Sequence, residues 1–121
     1  MMFHYLNVDF EDKLYSCGEA PDFDKSVWLA EKETLGMEYP NLPYLFDGET
    51  KISETAGIMM YIAKKWRPSL LGETAAELGK ANMLWDAVLK LKMASTVPCY
   101  TGAQTSDEII ETCKPILAKI V

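Results

Sequence analysis

The sequence predicts a mixed α/β domain followed by the start of an all-helical one. Three observations carry this reading. Tyr44-Leu45-Phe46, Asp47-Gly48 and Lys51-Ile52 read as a strand, a tight turn and a return strand. Directly after them, from Thr55 to Trp66, apolar residues recur at helical spacing. From Glu73 to the end the helical pattern persists with one break.

Each element follows from its residues. Phe3 to Leu6 is a short amphipathic piece, and Asp9 to Tyr15 is expected to be a strand with Phe10 and Leu14 on one face. Gly18 and Pro21 make the next stretch a loop, and Asp22 or Asp24 can cap a helix over about 25–32 that Gly36 ends. Pro40 and Pro43 confine the approach to the hairpin. In the following helix Thr55, Ile58, Met59, Ile62 and Trp66 share a face, Lys64, Lys65 and Arg67 sit at its end, and Pro68 stops it. Residues 67–72 are expected to be a linker between domains at 1–66 and 73–121. Beyond it Leu78, Ala81, Trp85, Val88 and Leu91 line one stripe, and Ile109, Cys113, Ile116 and Ile120 a second. The stretch from Val97-Pro98 to Thr105 is expected to interrupt the two helices, and Pro115 to bend the second.

Composition narrows the function. The chain has 121 residues, 49% of them hydrophobic, which suits a globular protein. Eighteen acids against twelve bases leave a net charge of −6, which argues against a nucleic-acid partner. No apolar run reaches the roughly 20 residues of a membrane span. Cys17, Cys99 and Cys113 are odd in number, widely spaced and without a CxxC, as expected of reduced thiols in the cytoplasm. With the single His4 they do not form a metal-ligand cluster.

The run GEAPDFDKSVWLAEK, the segment LGMEYPNLPYLFDGETKISETAGIMMYIAKK and the later LLGET resemble the cytosolic glutathione transferases, above all their mu class. The resemblance extends from about Phe3 to Tyr100, and its most specific part is YPNLPYLFDG followed by KISET. It implies a thioredoxin-like first domain, an all-helical second domain, and glutathione as substrate or ligand. It also implies that the family's first βα unit, with its catalytic tyrosine, precedes the matched region. Tyr5 and Tyr15 match other positions, so no catalytic residue is assigned. The chain corresponds to roughly half of the family's length, which leaves open a catalytically inactive binding module or a fragment of a full-length transferase.

The resemblance also implies a glutathione site. Leu42-Pro43, cis in the family, would offer the backbone of Leu42 to the cysteinyl part as one added strand rung. Glu54 would accept from the γ-glutamyl ammonium, and Thr55 at the helix start would donate to its carboxylate. Lys25, Trp28, Lys32 and Asn41 match further contacts, with Trp28 and Lys32 directed at the glycyl carboxylate. Lys25 stands where arginine is common and lacks the bidentate fork. Lys90 occupies the place of an aspartate that reaches a neighbouring subunit, and Asp86 lies four residues away. Tyr100 would line the electrophile pocket, and Tyr39 would enter the other subunit as an aromatic key. A homodimer, or membership of a larger assembly, is therefore expected, with Trp85, Val88, Ile109, Ile116 and Ile120 uncovered in a monomer.

Overall fold

A computed structural model describes residues 2–102 and 104–120. Met1, Ala103 and Val121 lie outside the described residues, and with them the outer ends of both expected domains and one residue of the expected break. The chain forms two compact units, Met1–Ser69 and Leu70–Val121.

The first unit opens with α1 (Met2–Leu6) and continues through a long irregular segment to α2 (Ser26–Lys32). The antiparallel hairpin of β1 (Tyr44–Asp47) and β2 (Thr50–Ser53) follows, and then α3 (Thr55–Trp66). Tyr44 faces Ser53 and Asp47 faces Thr50, so the turn is Gly48-Glu49, one residue later than the sequence predicts. Gly48 has φ +59°, a conformation glycine adopts without a Cβ penalty. The helix α3 packs on α1 and on both strands, and it buries Ile62 and Ala63 there. Leu35 completes the buried set among the described residues, and its carbonyl accepts from Lys51 Nζ at 2.7 Å. The pair locks the connection after α2 onto β2. At the hairpin's far end the Tyr61 hydroxyl donates to Asp47 Oδ2 at 2.8 Å, and Lys65 bonds the same oxygen.

The expected strand at Asp9–Tyr15 does not form. From Val8 to Gly18 the chain runs without helix, turn or bend, and no described residue pairs with it as a ladder. A strand needs a neighbour for its N–H and C=O groups, and alternation alone does not provide one. The helix α2 ends at Lys32, with Glu33 as its C-cap, so Gly36 lies beyond its end. Of the two candidate caps it is Asp24 that bonds the helix start, accepting from the Ser26 N–H at 3.0 Å.

The second unit is helical. A 3-10 turn, Pro68–Leu71, occupies the expected linker. The helix α4 (Ala75–Thr101) is 27 residues long, and α5 (Ser106–Leu117) packs against it. Both begin with a capping box: Thr74 with Glu77, and Thr105 with Glu108. Pro98 lies inside α4 without breaking it, although an interior proline removes its own ladder bond and crowds the carbonyl four residues before it. Around it Thr101 Oγ1 bonds the Val97 carbonyl at 3.1 Å. The helix stops only at Gly102, in the left-handed conformation at φ +63°. The stripes are more covered than the sequence suggests. Trp85, Ile109, Ile116 and Ile120 are half-buried, whereas Val88 stays exposed together with Met83, Leu84, Leu89 and Met93.

Candidate functional site

The eight residues matched to glutathione contacts fall in the first unit, on three elements: α2, the segment before β1, and the start of α3. Lys25 is the N-cap of α2, and Trp28 and Lys32 follow at i+3 and i+7, so the three share one helix face. Lys25 is exposed and Lys32 half-buried, and neither forms an ion pair among the described residues. Glu31, beside Lys32, is instead engaged by Lys13. That bond holds the Glu31 carboxyl below its ordinary range and the Lys13 ammonium above its own.

Trp28 is held by aromatic packing. Its ring stacks on Tyr44, with centroids 6.2 Å apart, and meets Tyr15 edge-on at 5.1 Å. The two tyrosine hydroxyls bond each other at 2.8 Å. Burial, followed by the bond to Tyr15, pushes the Tyr44 hydroxyl up to about 12. This cluster fixes α2 against the first residue of β1, immediately after Leu42-Pro43. The indole N–H of Trp28 has no hydrogen-bond partner among the described residues.

The Leu42–Pro43 peptide bond is cis, as is Ala20–Pro21. Leu42, exposed at 41%, makes no main-chain hydrogen bond with another described residue. The Asn41 amide donates to Glu54 Oε1 at 2.8 Å, tying this segment to the start of α3. Glu54 is the N-cap of α3 at φ +67° and ψ +129°, a region that side-chain-bearing residues rarely occupy. Its side chain does not cap the helix. The first N–H groups of α3 and the Thr55 hydroxyl are thus left open at the positive end of a twelve-residue helix. Such an end accepts an anion, and the neighbouring Glu54 carboxylate accepts an ammonium.

Asn41 and Glu54 are in contact, and Trp28 is linked to the same loop through Tyr44. No hydrogen bond or ion pair joins Lys25 or Lys32 to the Asn41–Glu54 pair among the described residues. Tyr39 is 70% exposed, and its carbonyl accepts from the Ser53 hydroxyl. Tyr100 belongs to the second unit, near the end of α4, and is 88% exposed. Asp86 and Lys90 lie on the same helix. The Tyr15–Tyr44 bond escaped the sequence reading: its partners lie 29 residues apart and share no local pattern. No cluster of three or more His, Cys, Asp or Glu suited to a metal occurs among the described residues, and none of their helices is long and apolar enough to cross a membrane.

A hairpin backed by a helix, entered through a cis-proline and followed by a helical unit, is the arrangement of the N-terminal thioredoxin-like domain and helical region of glutathione transferases. The sequence profile of the family described as "Glutathione S-transferase, N-terminal domain" matches residues 1–64. The chain belongs to the glutathione S-transferase family. Among its relatives, Glutathione S-transferase Mu 1 of Bos taurus is 40% identical over 101 residues, which are 84% of this chain and 45% of that protein. Glutathione S-transferase Mu 2 of Mus musculus is 39% identical over the same span, with the same coverage. The crystal structure of the glutathione S-transferase Blo t 8 superposes with a TM-score of 0.63 at 29% identity, covering 98% of this chain and 51% of that one. The chain thus spans about half the length of the relatives it matches.

Proposed function

We propose that the chain binds glutathione and serves its conjugation to electrophiles, a detoxifying reaction, in the cytoplasm. The observation that carries this reading is the Asn41–Glu54 bond, which sets a carboxylate and an open helix start side by side next to the Leu42 backbone. The γ-glutamyl end of glutathione bears an ammonium and a carboxylate on one carbon, and Glu54 and Thr55 offer the complementary pair. Leu42 contributes one strand-like rung to the cysteinyl part. Trp28 and Lys32, with Lys25, receive the glycyl carboxylate. In an acidic protein these lysines supply the local positive potential that favours the thiolate over the thiol. Holding that thiolate near an electrophile lowers the remaining barrier through proximity. Tyr100 lines the electrophile pocket, and Tyr39 anchors a homodimer.

Calorimetric titration with glutathione tests the site. Saturable heat is expected, and Thr55→Ala combined with Lys32→Ala is expected to abolish it. Each change removes a hydrogen bond to a charged group, worth about 1.5–3 kcal/mol, so together they cost roughly two decades or more in affinity. Absence of heat at millimolar glutathione with folded protein, or unchanged heat in the double variant, would overturn the reading.

A further inference from the structure

A tryptophan that donates to the glycyl carboxylate needs a free indole N–H and a ring held at one angle. Trp28 meets both conditions. Its N–H has no hydrogen-bond partner among the described residues and is not sealed from solvent. Its ring is fixed from two sides. Tyr44 stacks on it with centroids 6.2 Å apart and planes 15° apart, and Tyr15 meets it edge-on at 5.1 Å and 67°. An indole that turned about its own side-chain bonds would lose one contact or the other.

The tyrosines are fixed in turn. Their hydroxyls bond each other at 2.8 Å, which pins both rings at their far ends. The Lys13 ammonium lies 5.2 Å over the Tyr15 ring and also engages Glu31 of α2, the helix that carries Trp28. Tyr44 directly follows the cis Leu42–Pro43 bond, so the ring that stacks on Trp28 also stands next to the Leu42 rung. The Tyr44 hydroxyl, pushed up to about 12, stays uncharged at neutral pH and presents no phenolate to a carboxylate. The γ-glutamyl end is set elsewhere, by the Asn41–Glu54 bond, and no hydrogen bond joins that pair to either tyrosine among the described residues.

We propose that Tyr15 and Tyr44 are positioning residues that set the selectivity for the glycyl end of glutathione: their hydroxyl bond holds the Trp28 indole at the angle at which its N–H meets that carboxylate. The inference rests on the glutathione reading above and adds a specificity element to it. Each tyrosine acts through Trp28 rather than on the ligand. Loss of the hydroxyl bond therefore disturbs one end of the ligand and spares the other.

The test compares two ligands on the full chain by calorimetric titration. One is glutathione, and the other is γ-glutamylcysteine N-methylamide, which keeps both peptide bonds and lacks the glycyl carboxylate. The unaltered chain is expected to prefer glutathione by about tenfold or more, the worth of a hydrogen bond to a charged group. Tyr15→Phe and Tyr44→Phe remove the hydroxyl bond and keep both rings. Each is expected to cut that preference by about threefold or more, with the affinity for the methylamide unchanged. In a Trp28→Phe background the preference is already reduced, and Tyr15→Phe is expected to reduce it no further. Equal loss for both ligands in the hydroxyl variants would mean a general loosening of the unit and would overturn the inference. So would equal binding of the two ligands by the unaltered chain, a preference that neither variant lowers, or one that Tyr15→Phe lowers just as much without Trp28. All of these outcomes leave the glutathione reading standing. A chain that binds neither ligand overturns that reading, and this inference with it.

Discussion

The Asn41 amide and the Glu54 carboxylate meet at 2.8 Å, and Glu54 makes that contact from a backbone conformation at φ +67°. Such a conformation costs a side-chain-bearing residue on the order of 1–3 kcal/mol. Glycine adopts it with little penalty. Glu54→Gly is therefore expected to stabilise the first unit by about 1 kcal/mol in urea unfolding while weakening glutathione binding. Glu54→Ala should weaken binding without that gain. If glycine and alanine behave alike in stability, the strain is not intrinsic to the residue.

The Tyr44 hydroxyl, pushed up to about 12 by burial and by its bond to Tyr15, ties part of the stability to the neutral phenol. A folded value above the unfolded one means that this contribution is complete below the ordinary value of 10 and is lost as pH rises through the folded value. Ultraviolet titration should show one late tyrosine. In Tyr15→Phe the late transition should move to lower pH; an unmoved transition would dissociate Tyr15 from the effect.

At the acid end the sign reverses. Backbone N–H groups at Glu73 and Thr74 hold the Glu77 carboxyl below its ordinary value of 4.5, and those at Thr105, with its hydroxyl, do the same for Glu108. The bond from Lys65, with that from Tyr61, lowers Asp47. Depressed carboxyls stabilise above their unfolded values, and that stability is lost as pH falls through the folded ones. Thermal midpoints should thus drop as pH falls below about 4.5. Glu77→Gln with Glu108→Gln should flatten that drop, as followed by circular dichroism at 222 nm; an unaltered slope would clear the caps of responsibility.

Gly72 sits at φ +85°, and a Cβ placed there would lie 2.5 Å from Glu77 Cβ and 2.8 Å from the Glu77 carbonyl carbon. Gly72→Ala therefore strains the backbone and pushes on the first turn of α4 together. A loss of roughly 1–3 kcal/mol is expected in chemical denaturation. A neutral effect would mean that this turn yields at no cost.

Tyr39 leaves 70% of its surface exposed, and α4 exposes Met83, Leu84, Val88 and Met93. Exposed apolar side chains are common at interfaces, and Tyr39 is the proposed anchor of a homodimer. Burying about 150 Å² of tyrosine ring at about 25 cal/mol/Å² contributes a few kcal/mol before association costs. Light scattering at micromolar concentration is expected to show a dimer or larger assembly that Tyr39→Ala weakens. A monomer whose mass is unaffected by the substitution would remove the anchor.

The sequence by itself determined the elements whose signals are local. The hairpin was legible because turn residues interrupt a period of two, and α3 because its apolar residues return every turn between Thr55 and Trp66. The capping boxes at Thr74 and Thr105 fix the starts of α4 and α5, where the helical pattern alone placed one start at Glu73 and the other after Thr105. Tertiary structure decided what depends on a distant partner. Residues 9–15 have the alternation of a strand but no neighbour to bond, so they form none. Tyr15 and Tyr44 meet only because α2 and β1 pack against each other through Trp28. Glu54 has an unusual backbone because the hairpin's end and the start of α3 must join there, within reach of Asn41. Periodicity and turn chemistry act over a few residues and can be read along the chain; strand pairing, aromatic packing and backbone strain are set by contacts that exist only once the chain has closed on itself.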